Sequence, residues 1–259
     1  MDLGIRGRRA IVCGSSRGLG RGCAEALAAA GVEVIVNGRD GRTADATAHA
    51  ISQTYGVRAV AIAADVATTE GRATLLAACP DPDILVTNSA GPPLGDFRSW
   101  DRETWLEVVE RMMLAPILLM REVVDAMAAR RFGRIVNITS NAVRKPALDR
   151  GMTNATKSGL TGFSTGLARQ LARHNVTVNN LLPGLCATDR GREAIAERAA
   201  LSGVSLEKFE AQMLTGIPAG TLGDPRDFGD ICAFLCSAQA GYLTRQNILF
   251  DGGWFEGWS

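Results

Sequence analysis

Short apolar stretches rich in β-branched residues alternate with helix-forming stretches along the whole chain, and this alternation constrains the fold more than any other feature. Strands that are separated by helices have to run parallel, and the helices then cover both faces of the sheet. The pattern predicts strands at 9–13, 32–36, 58–63, 84–87, 133–139, 177–182 and 247–250. It predicts helices at 18–30, 43–55, 70–79, 101–130, 151–173 and 227–237, with one or two short helices within 185–221.

Nothing in the sequence divides the chain into separate domains. No linker rich in Pro, Ser or Gly interrupts the 259 residues. The composition is 46% hydrophobic but only 5% aromatic, which suits close packing of helices on a sheet. We therefore predict one doubly wound α/β domain over 1–259, with a seven-stranded parallel sheet.

The helix predicted at 101–130 carries two further signals. Asp101 stands where a side chain can cap the first turn, and Pro116 lies in the helix interior. Because proline has no backbone N–H, we expect a kink or one missing hydrogen bond near Pro116.

The charge is balanced, with 28 basic and 27 acidic residues and a net charge of +1. No global field is available to attract a polyanion, so we expect neither a nucleic-acid nor a membrane partner. The start of the chain has no apolar segment of signal-peptide length, and no apolar run approaches the roughly 18 residues of a membrane span. We expect a soluble, cytoplasmic protein. The six cysteines are scattered among apolar or small residues, so we interpret them as buried thiols and predict no metal site.

A glycine-rich turn follows the first predicted strand and opens the first predicted helix. It has the spacing Gly-x-x-x-Gly-x-Gly. Glycines permit a tight turn and a close approach of the backbone to a ligand, and N–H groups at a helix N-terminus bind the pyrophosphate of a dinucleotide. A merely tight turn is the alternative. We predict a Rossmann-type dinucleotide site whose phosphate-binding residues are Gly14, Ser15, Ser16, Arg17, Gly18, Leu19 and Gly20.

The end of the second predicted strand indicates which nicotinamide cofactor is preferred. An acidic side chain at this point binds the ribose 2′-hydroxyl of NAD, whereas neutral or basic residues admit the 2′-phosphate of NADP. Here the strand is followed by Asn37, Gly38 and Arg39, with Arg17 available from the glycine-rich turn. Two guanidinium groups can bind a phosphate, so NADP(H) is favoured over NAD(H), although Asp40 is an acidic residue close by.

Several motifs in order resemble the short-chain dehydrogenase/reductase family over nearly the whole chain. The turn from Cys13 to Gly20 is similar to the family's Thr-Gly-x-x-x-Gly-x-Gly, with Cys in place of Thr. Asn88-Ser89-Ala90-Gly91 is similar to Asn-Asn-Ala-Gly, 133–140 to the strand that carries the catalytic serine, and Asp251-Gly252-Gly253 to the C-terminal signature. The nearest likeness is to bacterial ketoacyl-carrier-protein-reductase-like members with an incomplete catalytic set.

The resemblance implies further contacts with the cofactor. It places Asp65 and Val66 against the adenine, and Asn88, Ala90 and Gly91 after the fourth strand beside the dinucleotide. The turn near the nicotinamide amide is implied to comprise Pro183, Gly184, Cys186 and Thr188.

The family's catalytic set of Asn, Ser, Tyr and Lys is incomplete here. Counting from Ser140 puts Thr153 at the tyrosine position and Lys157 at the lysine position. Counting from Trp105 puts Met112 at the asparagine position. No shift of register supplies a tyrosine, because the only two are Tyr55 and Tyr242. Thr153 can donate a hydrogen bond or hold a water, but its hydroxyl is a poor acid.

Three compensations for the missing acid are open. Lys157 could polarise the substrate or a water, Lys145 or Arg144 could reach in from the same loop, or the substrate could supply its own proton. We favour Lys157, because the resemblance implies that its ammonium also holds the ribose of the nicotinamide. Ser140 is expected to orient an oxygen of the substrate, whereas Met112 is expected to serve packing.

We therefore predict an NADP(H)-dependent oxidoreductase that acts on a small carbonyl or alcohol substrate through an atypical active site. The alternative is an NADP(H)-binding protein without turnover, with a structural or regulatory role. A different reaction in the same pocket, such as an elimination or an isomerisation, has no positive support in the sequence.

The segment 185–221 lies where the family places helices that cover the substrate. Leu201, Leu206, Phe209, Met213 and Leu214 could line an apolar lid, with Gly191, Gly203 and Gly216 permitting movement, although core packing explains the same residues. A local excess of positive charge suits an anionic substrate or, more commonly, a solvated rim, and comprises Arg144, Lys145, Arg150, Arg190 and Arg192.

The end of the chain is unusually aromatic, with Trp254, Phe255 and Trp258 within five residues. Terminal aromatic side chains usually need a surface to pack on, so we predict that this tail lies at a subunit interface. The family resemblance implies a homotetramer.

Overall fold

The computed structural model describes residues 1–92 and 94–257, and it confirms the predicted α/β fold. Seven parallel strands form one sheet in the order β3-β2-β1-β4-β5-β6-β7. The strands are β1 Arg9–Val12, β2 Glu33–Gly38, β3 Ala59–Ala63, β4 Ile84–Thr87, β5 Gly133–Ile138, β6 Val176–Pro183 and β7 Asn247–Phe250. The helices are α1 Gly18–Ala29, α2 Gly41–Tyr55, α3 Thr69–Ala78, α4 Arg102–Val109, α5 Ala115–Ala129, α6 Gly151–Leu171, α7 Asp189–Ser202, α8 Leu206–Thr215 and α9 Pro225–Leu235.

Successive residues of each inner strand face opposite sides of the sheet. Ala10 and Val12 belong to a core packed by α1, α2 and α9, whereas Ile11 between them belongs to a second core packed by α3, α5 and α6. The same alternation holds in β4, where Leu85 faces the second core and its neighbours Ile84 and Val86 face the first. Two apolar faces explain why these strands are apolar at every position, as is typical of a parallel sheet buried on both sides.

The long helix predicted at 101–130 is confirmed over 102–129, but it contains a π-helical turn. A π-helical turn, Glu110–Leu114, separates α4 from α5, and the N–H of Ala115 donates to the carbonyl of Glu110. Pro116, the second residue of α5, has no N–H with which to continue an α-helical ladder. The expected irregularity at Pro116 is thus confirmed, as is the cap, since Asp101 Oδ1 accepts from the N–H of Thr104 at 2.9 Å.

Other boundaries differ from the prediction by a few residues. The helix predicted at 151–173 ends at Leu171 and continues as a short 3₁₀ turn to His174. The helix predicted at 227–237 begins at Pro225, because Asp224 caps it by accepting from the N–H of Arg226 at 2.8 Å. The segment 185–221 contains two helices, α7 and α8, as expected.

The order of the strands creates a crevice at their carboxyl ends. The chain moves from β1 to β2 on one side and places β4 on the other side of β1. Such a switch point leaves an open crevice where open α/β sheets bind ligands. Asn88, just after β4, spans this crevice by donating from Nδ2 to the carbonyl of Gly14 at 3.1 Å.

All six cysteines are buried and free, as the sequence predicts. In 1–92 and 94–257, no helix has the length and apolar character needed to cross a membrane. Within the same residues, no cluster of three His, Cys, Asp or Glu side chains is arranged to hold a metal ion.

Candidate active site

A cleft of about 520 Å³ opens at the carboxyl ends of the strands. Its volume lies within the range of small-molecule sites. It runs from the glycine-rich turn to Ser140, Thr153 and Lys157, so one cavity joins the predicted cofactor site to the predicted catalytic residues. The predicted cofactor residues that line it are Gly14, Ser16, Arg17, Gly18, Leu19, Asn37, Gly38, Arg39, Asp65, Val66, Asn88, Ala90, Gly91, Lys157, Pro183 and Thr188.

Ser15 and Gly20, both predicted to contact phosphate, do not line the cleft. The Ser15 hydroxyl is fully buried, donates to the carbonyl of Val12 at 2.6 Å and accepts from the N–H of Asn37 at 2.9 Å. A Cβ on Gly20 would clash with the carbonyl oxygen of Gly14. Both residues therefore support the conformation of the turn without lining the cleft.

Gly184 and Cys186, predicted near the nicotinamide, also lie outside the cleft lining. A Cβ on Gly184 would lie 2.8 Å from Cβ of Asp251, so this glycine permits close packing against the segment after β7. Burial raises the pKa of the Cys186 thiol to about 12. The thiol therefore stays neutral and packs near Gly223.

The glycine-rich turn presents free backbone donors to the cleft. Gly14 and Gly18 have φ of +56° and +59°, a region that only glycine adopts without cost. Arg17 occupies the cap position of α1, and its side chain makes no capping hydrogen bond to the first N–H groups of that helix. Uncapped N–H groups at a helix N-terminus bind anions, and a pyrophosphate group has the charge that they need.

The end of β2, which bears on the preference between NADP and NAD, carries side chains with different roles. Asn37 is committed to the backbone, since its Nδ2 donates to Ile62 and Ala64 and its Oδ1 accepts from Gly14. The Asp40 carboxylate caps α2 by accepting from the N–H of Arg42 at 3.0 Å and from the hydroxyl of Thr43 at 3.1 Å.

Arg17 and Arg39 reach the same end of the cleft from two elements. Both are exposed, and neither pairs with a carboxylate among the residues that the structure describes. This end of the cleft therefore carries two uncommitted guanidinium groups beside an acidic residue whose carboxylate is already engaged.

Two further polar atoms of the cleft wall are buried without a hydrogen-bond partner in the described chain. These are the hydroxyl of Ser89 and Nε of Arg111. An orphaned polar atom at a cavity wall indicates that a ligand completes the site. Together with the uncapped turn, these atoms show that the residues present fit a nicotinamide dinucleotide.

Ser140, Thr153 and Lys157 converge at the other end of the cleft. Ser140 follows β5, and its hydroxyl accepts from the N–H of Ala142 at 3.1 Å. Thr153 is half-buried in the first turn of α6, and Lys157 lies one turn further along the same helix. Lys157 is 3% exposed, and its Nζ donates to the carbonyl of Ile138 at 3.0 Å. Burial lowers the pKa of this ammonium to about 8.

Thr153 and Met112, the residues counted at the tyrosine and asparagine positions, both line the cleft. Neither Tyr55 nor Tyr242 lines the cleft. Met112 lies in the π-turn, is 1% exposed, and its sulfur accepts from the hydroxyl of Thr156 at 3.9 Å. Met112 also contributes to the cleft wall, so it combines the expected packing role with a position beside the site.

Arg111 and the first turn of α7 were not among the predicted site residues. Arg111 lines the cleft and donates from Nη1 to Glu107 at 3.1 Å. Helical periodicity could not indicate Arg111, because the π-turn changes which side of the helix faces the cleft. Asp189 and Glu193 line the cleft from α7, together with Arg190.

The apolar residues of the covering segment pack on their own core and do not line the cleft. Phe209, Met213 and Leu214 contact a buried cluster formed by Leu185, Ile195 and Ile217. Leu201 and Leu206 are exposed. The expectation of an apolar lid lining is therefore wrong for these residues, and the polar first turn of α7 forms that wall.

The proposed hinge at Gly191 is also wrong. A Cβ there would clash with the carbonyl oxygen of Cys186, so this glycine permits close packing of α7. Gly203 has φ of +69° and ends α7 in the left-handed conformation.

The basic residues near the covering segment do not form one anion site. Lys145 donates to the carbonyl of Trp254 at 2.9 Å and lies 3.7 Å from the carboxylate of Glu256. Arg190 pairs with Glu197 at 2.8 Å. Arg150 lies outside the cleft lining, and burial lowers its pKa to about 10.

The terminal aromatic segment packs within its own chain. Trp254 contacts the buried cluster under α7 and α8, and the ammonium of Lys145 lies 5.4 Å from its ring centre. The N–H of Phe255 donates to the Asp251 carboxylate at 3.0 Å. Trp254 thus has an intramolecular surface that the sequence did not reveal. Trp258 lies outside the described residues.

Comparisons with known proteins agree on one family. Residues 8–199 match the model of the short chain dehydrogenase family. The 3-oxoacyl-(acyl-carrier-protein) reductase FabG of Aquifex aeolicus is 33% identical over 259 residues, covering 98% of this chain and 100% of the relative. The NADPH-dependent reductase BacG of Bacillus subtilis is 29% identical, covering 95% and 97%. The crystal structure of L-sorbose reductase from Gluconobacter frateurii, in complex with NADPH and L-sorbose, superposes with a TM-score of 0.93 at 28% identity, covering 100% of both chains.

Proposed function

The chain belongs to the short-chain dehydrogenase family, and we propose that it is an NADP(H)-dependent oxidoreductase that exchanges hydride with a small carbonyl or alcohol substrate. The observation that carries this proposal is the single cleft that joins the glycine-rich turn to Ser140 and Lys157. A nicotinamide dinucleotide supplies the hydride in such a cleft, so the protein has to bind it, orient the substrate and manage one proton.

Each part of the cleft suits one of these tasks. The uncapped N-terminus of α1 and the glycine-rich turn would hold the pyrophosphate. Asp65 and Val66, and the segment from Asn88 to Gly91, would contact the adenosine half. Pro183 and Thr188 would lie beside the nicotinamide, with Lys157 on its ribose.

The substrate oxygen would meet the hydroxyl groups of Ser140 and Thr153. The Ser140 hydroxyl already accepts from Ala142, which leaves its own proton free to donate to that oxygen. No tyrosine phenol is available there, so the group that transfers the proton has to differ from that of the family pattern.

The preference for NADP(H) over NAD(H) rests on Arg17 and Arg39. A 2′-phosphate would gain two charge-assisted contacts from these free guanidinium groups. The carboxylate of Asp40 caps α2, so part of its acceptor capacity is already used. The relatives named with NADPH support the same choice.

The cofactor preference is tested by titrating the protein with NADPH and NADH while following ligand fluorescence. Arg39→Ala is expected to weaken NADPH binding by about tenfold or more, the typical effect of removing a hydrogen bond to a charged group, and to leave NADH binding unchanged. Arg42→Ala is the matched control, because Arg42 is exposed on the same helix start but does not line the cleft. Equal affinity for both cofactors in the unaltered chain would contradict the preference.

The alternative function is an NADP(H)-binding protein without turnover. It is favoured by the presence of Thr153 at the position of the family's catalytic tyrosine and of Met112 at the position of its asparagine. The two functions are separated by offering NADPH with a panel of ketones, aldehydes and ketoacyl thioesters and following its absorbance. We expect slow oxidation of NADPH in the unaltered chain and faster oxidation in Thr153→Tyr, since a positioned acid contributes about 10² to 10⁴ in rate. NADPH binding without oxidation in the unaltered chain, combined with turnover in Thr153→Tyr, would establish the alternative. For a pure binding protein, Lys157→Ala would change affinity alone.

We also propose that the protein assembles as a homotetramer, as the family resemblance implies. The cytoplasmic location remains a prediction from the composition and the charge.

A further inference from the structure

The end of the cleft near Ser140 contains one group that can release a proton near neutral pH. Ser140 and Thr153 carry alcohols, which are far too weak as acids on their own. Among the cleft-lining residues that the structure describes, Lys157 is the titratable group bound to the strand end before Ser140, through the carbonyl of Ile138. This carbonyl accepts from one of the three N–H groups of the ammonium, so the ammonium retains two further donors at a position that lines the cleft.

Thr153 and Lys157 lie on the same face of α6. Lys157 follows Thr153 by four positions, and residues with this spacing lie next to each other on a helix surface. Both line the same cleft. A hydroxyl can accept one hydrogen bond while it donates another, so Thr153 can accept from Nζ and donate to a substrate oxygen at the same time.

On these observations, and resting on the proposed function, we propose that Lys157 is the general acid of the reaction and that the Thr153 hydroxyl relays its proton to the substrate. As hydride reaches the carbonyl carbon, the electrons of the C=O bond move to oxygen. That oxygen takes the hydroxyl proton of Thr153, and Thr153 takes a proton from Nζ of Lys157. The N–H bond breaks, and Lys157 is left as a neutral amine until a proton from water replaces it.

The proton that restores the ammonium is expected to enter from the cleft after the product has left, because Lys157 itself lines the cleft.

The environment of Lys157 sets the pH range of this chemistry. Burial alone lowers the pKa of Lys157 to about 8. The other charged side chains that line the cleft are Arg17, Arg39 and Asp40 around the glycine-rich turn, Asp65 after β3, Arg111 on the π-turn, and Asp189, Arg190 and Glu193 on α7. The lowered pKa of Lys157 comes from burial and not from these charges. An acid with a pKa near the working pH is well matched to general acid catalysis.

The first experiment follows the rate of carbonyl reduction under saturating NADPH from pH 6 to pH 10. The rate should be constant at low pH and fall about tenfold per pH unit above about 8, because the reaction needs the protonated amine. The rate of alcohol oxidation should show the opposite dependence and increase as the pH rises through the same value, because the reverse reaction needs the neutral amine. A rate of reduction that does not change between pH 7 and pH 10 would overturn the proposal.

Variants of Thr153 test the relay. Thr153→Val has nearly the same shape but no hydroxyl, and we expect turnover to fall by about 10² or more with the dissociation constant of NADPH unchanged. Thr153→Ser retains a hydroxyl and should recover most of the loss. Equal turnover in Thr153→Val and the unaltered chain would overturn the relay, since a purely structural threonine predicts that result.

A third measurement needs no substrate. The chain has three lysines, Lys145, Lys157 and Lys208, so ¹³C labelling of the lysine side chains gives a simple NMR spectrum. The signal that disappears in Lys157→Arg should titrate with a midpoint near 8. A midpoint at the ordinary lysine value of about 10.4 would overturn the assignment of the acid.

The failure of this inference and the failure of the proposed function give different results. If the inference alone fails, NADPH is oxidised at a rate that is insensitive to pH and to Thr153→Val. If the proposed function fails, NADPH binds, the Lys157 signal still titrates near 8, and no carbonyl in the panel is reduced.

Discussion

Lys157 is a buried ammonium, and such a group normally reduces the stability of a folded chain. Within the described part of the chain, its one hydrogen bond, to the carbonyl of Ile138, offsets only part of the hydration that it loses. A pKa lowered from 10.5 to about 8 corresponds to a penalty on the order of 3 kcal/mol at neutral pH. The fold tolerates this penalty at a position where the proposed chemistry needs a charge.

Replacing Lys157 by methionine should therefore stabilise the protein at pH 7. Losing the bond to Ile138 costs about 1 kcal/mol, so we expect a net gain of about 2 kcal/mol in the free energy of unfolding, measured by urea denaturation. Between pH 8 and pH 10.5 the unfolded chain binds more protons at this site than the folded chain. The unaltered protein therefore becomes more stable over this range relative to the variant, and the advantage of Lys157→Met should vanish by about pH 10.5.

Lys208→Met is the matched control, because Lys208 is exposed on α8. It should show no such pH-dependent difference. A Lys157→Met variant that is less stable than the unaltered chain at pH 7 would show that the ammonium is better solvated in the folded state than its burial indicates.

Register counting selected three residues that the structure brings to one cleft, and their catalytic roles stay a prediction. Ser140, Thr153 and Lys157 meet in one cleft, as the spacing along the chain indicated. The count worked because β5 and α6 are regular elements on either side of a short loop. Counting failed for Ser15 and Cys186, since a motif gives the order of residues but not which side of a turn each side chain occupies.

At the scale of elements, close contact between α1 and α9 fixes the helix that follows the glycine-rich turn. A Cβ on Gly22 would clash with the carbonyl oxygen of Pro225, and a Cβ on Gly229 would clash with the carbonyl oxygen of Gly22. The two backbones thus touch without side chains between them. Since α1 carries the phosphate-binding N-terminus, this contact also positions the cofactor.

Gly22→Ala should separate α1 from α9. Overpacking of this kind costs about 1 to 3 kcal/mol, and we expect a comparable loss in the free energy of unfolding together with weaker NADPH binding. Gly166→Ala provides the comparison, because Gly166 is an exposed residue of α6 with open space around its Cβ position. Alanine there should be neutral or stabilise by up to about 1 kcal/mol. Thermal unfolding and a cofactor titration would measure both effects, and unchanged values for Gly22→Ala would show that the helices can move apart freely.

The π-turn between α4 and α5 is a feature that the sequence predicted only in part. Pro116 indicated that the hydrogen-bond ladder is interrupted, and this was confirmed. The sequence does not specify the geometry of the interruption. A kink, a missing backbone hydrogen bond and a π-turn are all compatible with a residue that has no N–H. The chosen solution places Met112 and Arg111 at the cleft.

At the scale of the whole molecule, the oligomeric state remains a prediction. Its first support, the aromatic tail, is weaker now that Trp254 packs within its own chain. Large apolar side chains still lie exposed on helices, among them Phe163 on α6 and Phe234 on α9, at 41% and 39%. Exposed apolar side chains indicate a subunit interface only where they form a contiguous patch, so each of these positions has to be tested.

We expect size-exclusion chromatography with light scattering to give a mass four times that of the 27.4 kDa chain. Phe163→Asp should lower this mass if α6 lies in an interface, because a buried carboxylate without a partner is costly. A monomeric mass for the unaltered chain would reject the homotetramer.

The sequence by itself determined the fold class, and it predicted where a dinucleotide would bind and that threonine stands at the counted tyrosine position. These depend on local signals: the alternation of strands and helices, a glycine spacing at a strand end, and the identity of a residue at a counted position. Tertiary structure alone decided which side chains reach the cleft and which are already engaged. Asp40 caps a helix, Asn37 bonds to the backbone, Trp254 packs on its own chain, and Lys157 is buried. These outcomes depend on contacts between residues far apart in the chain, so local sequence patterns do not specify them.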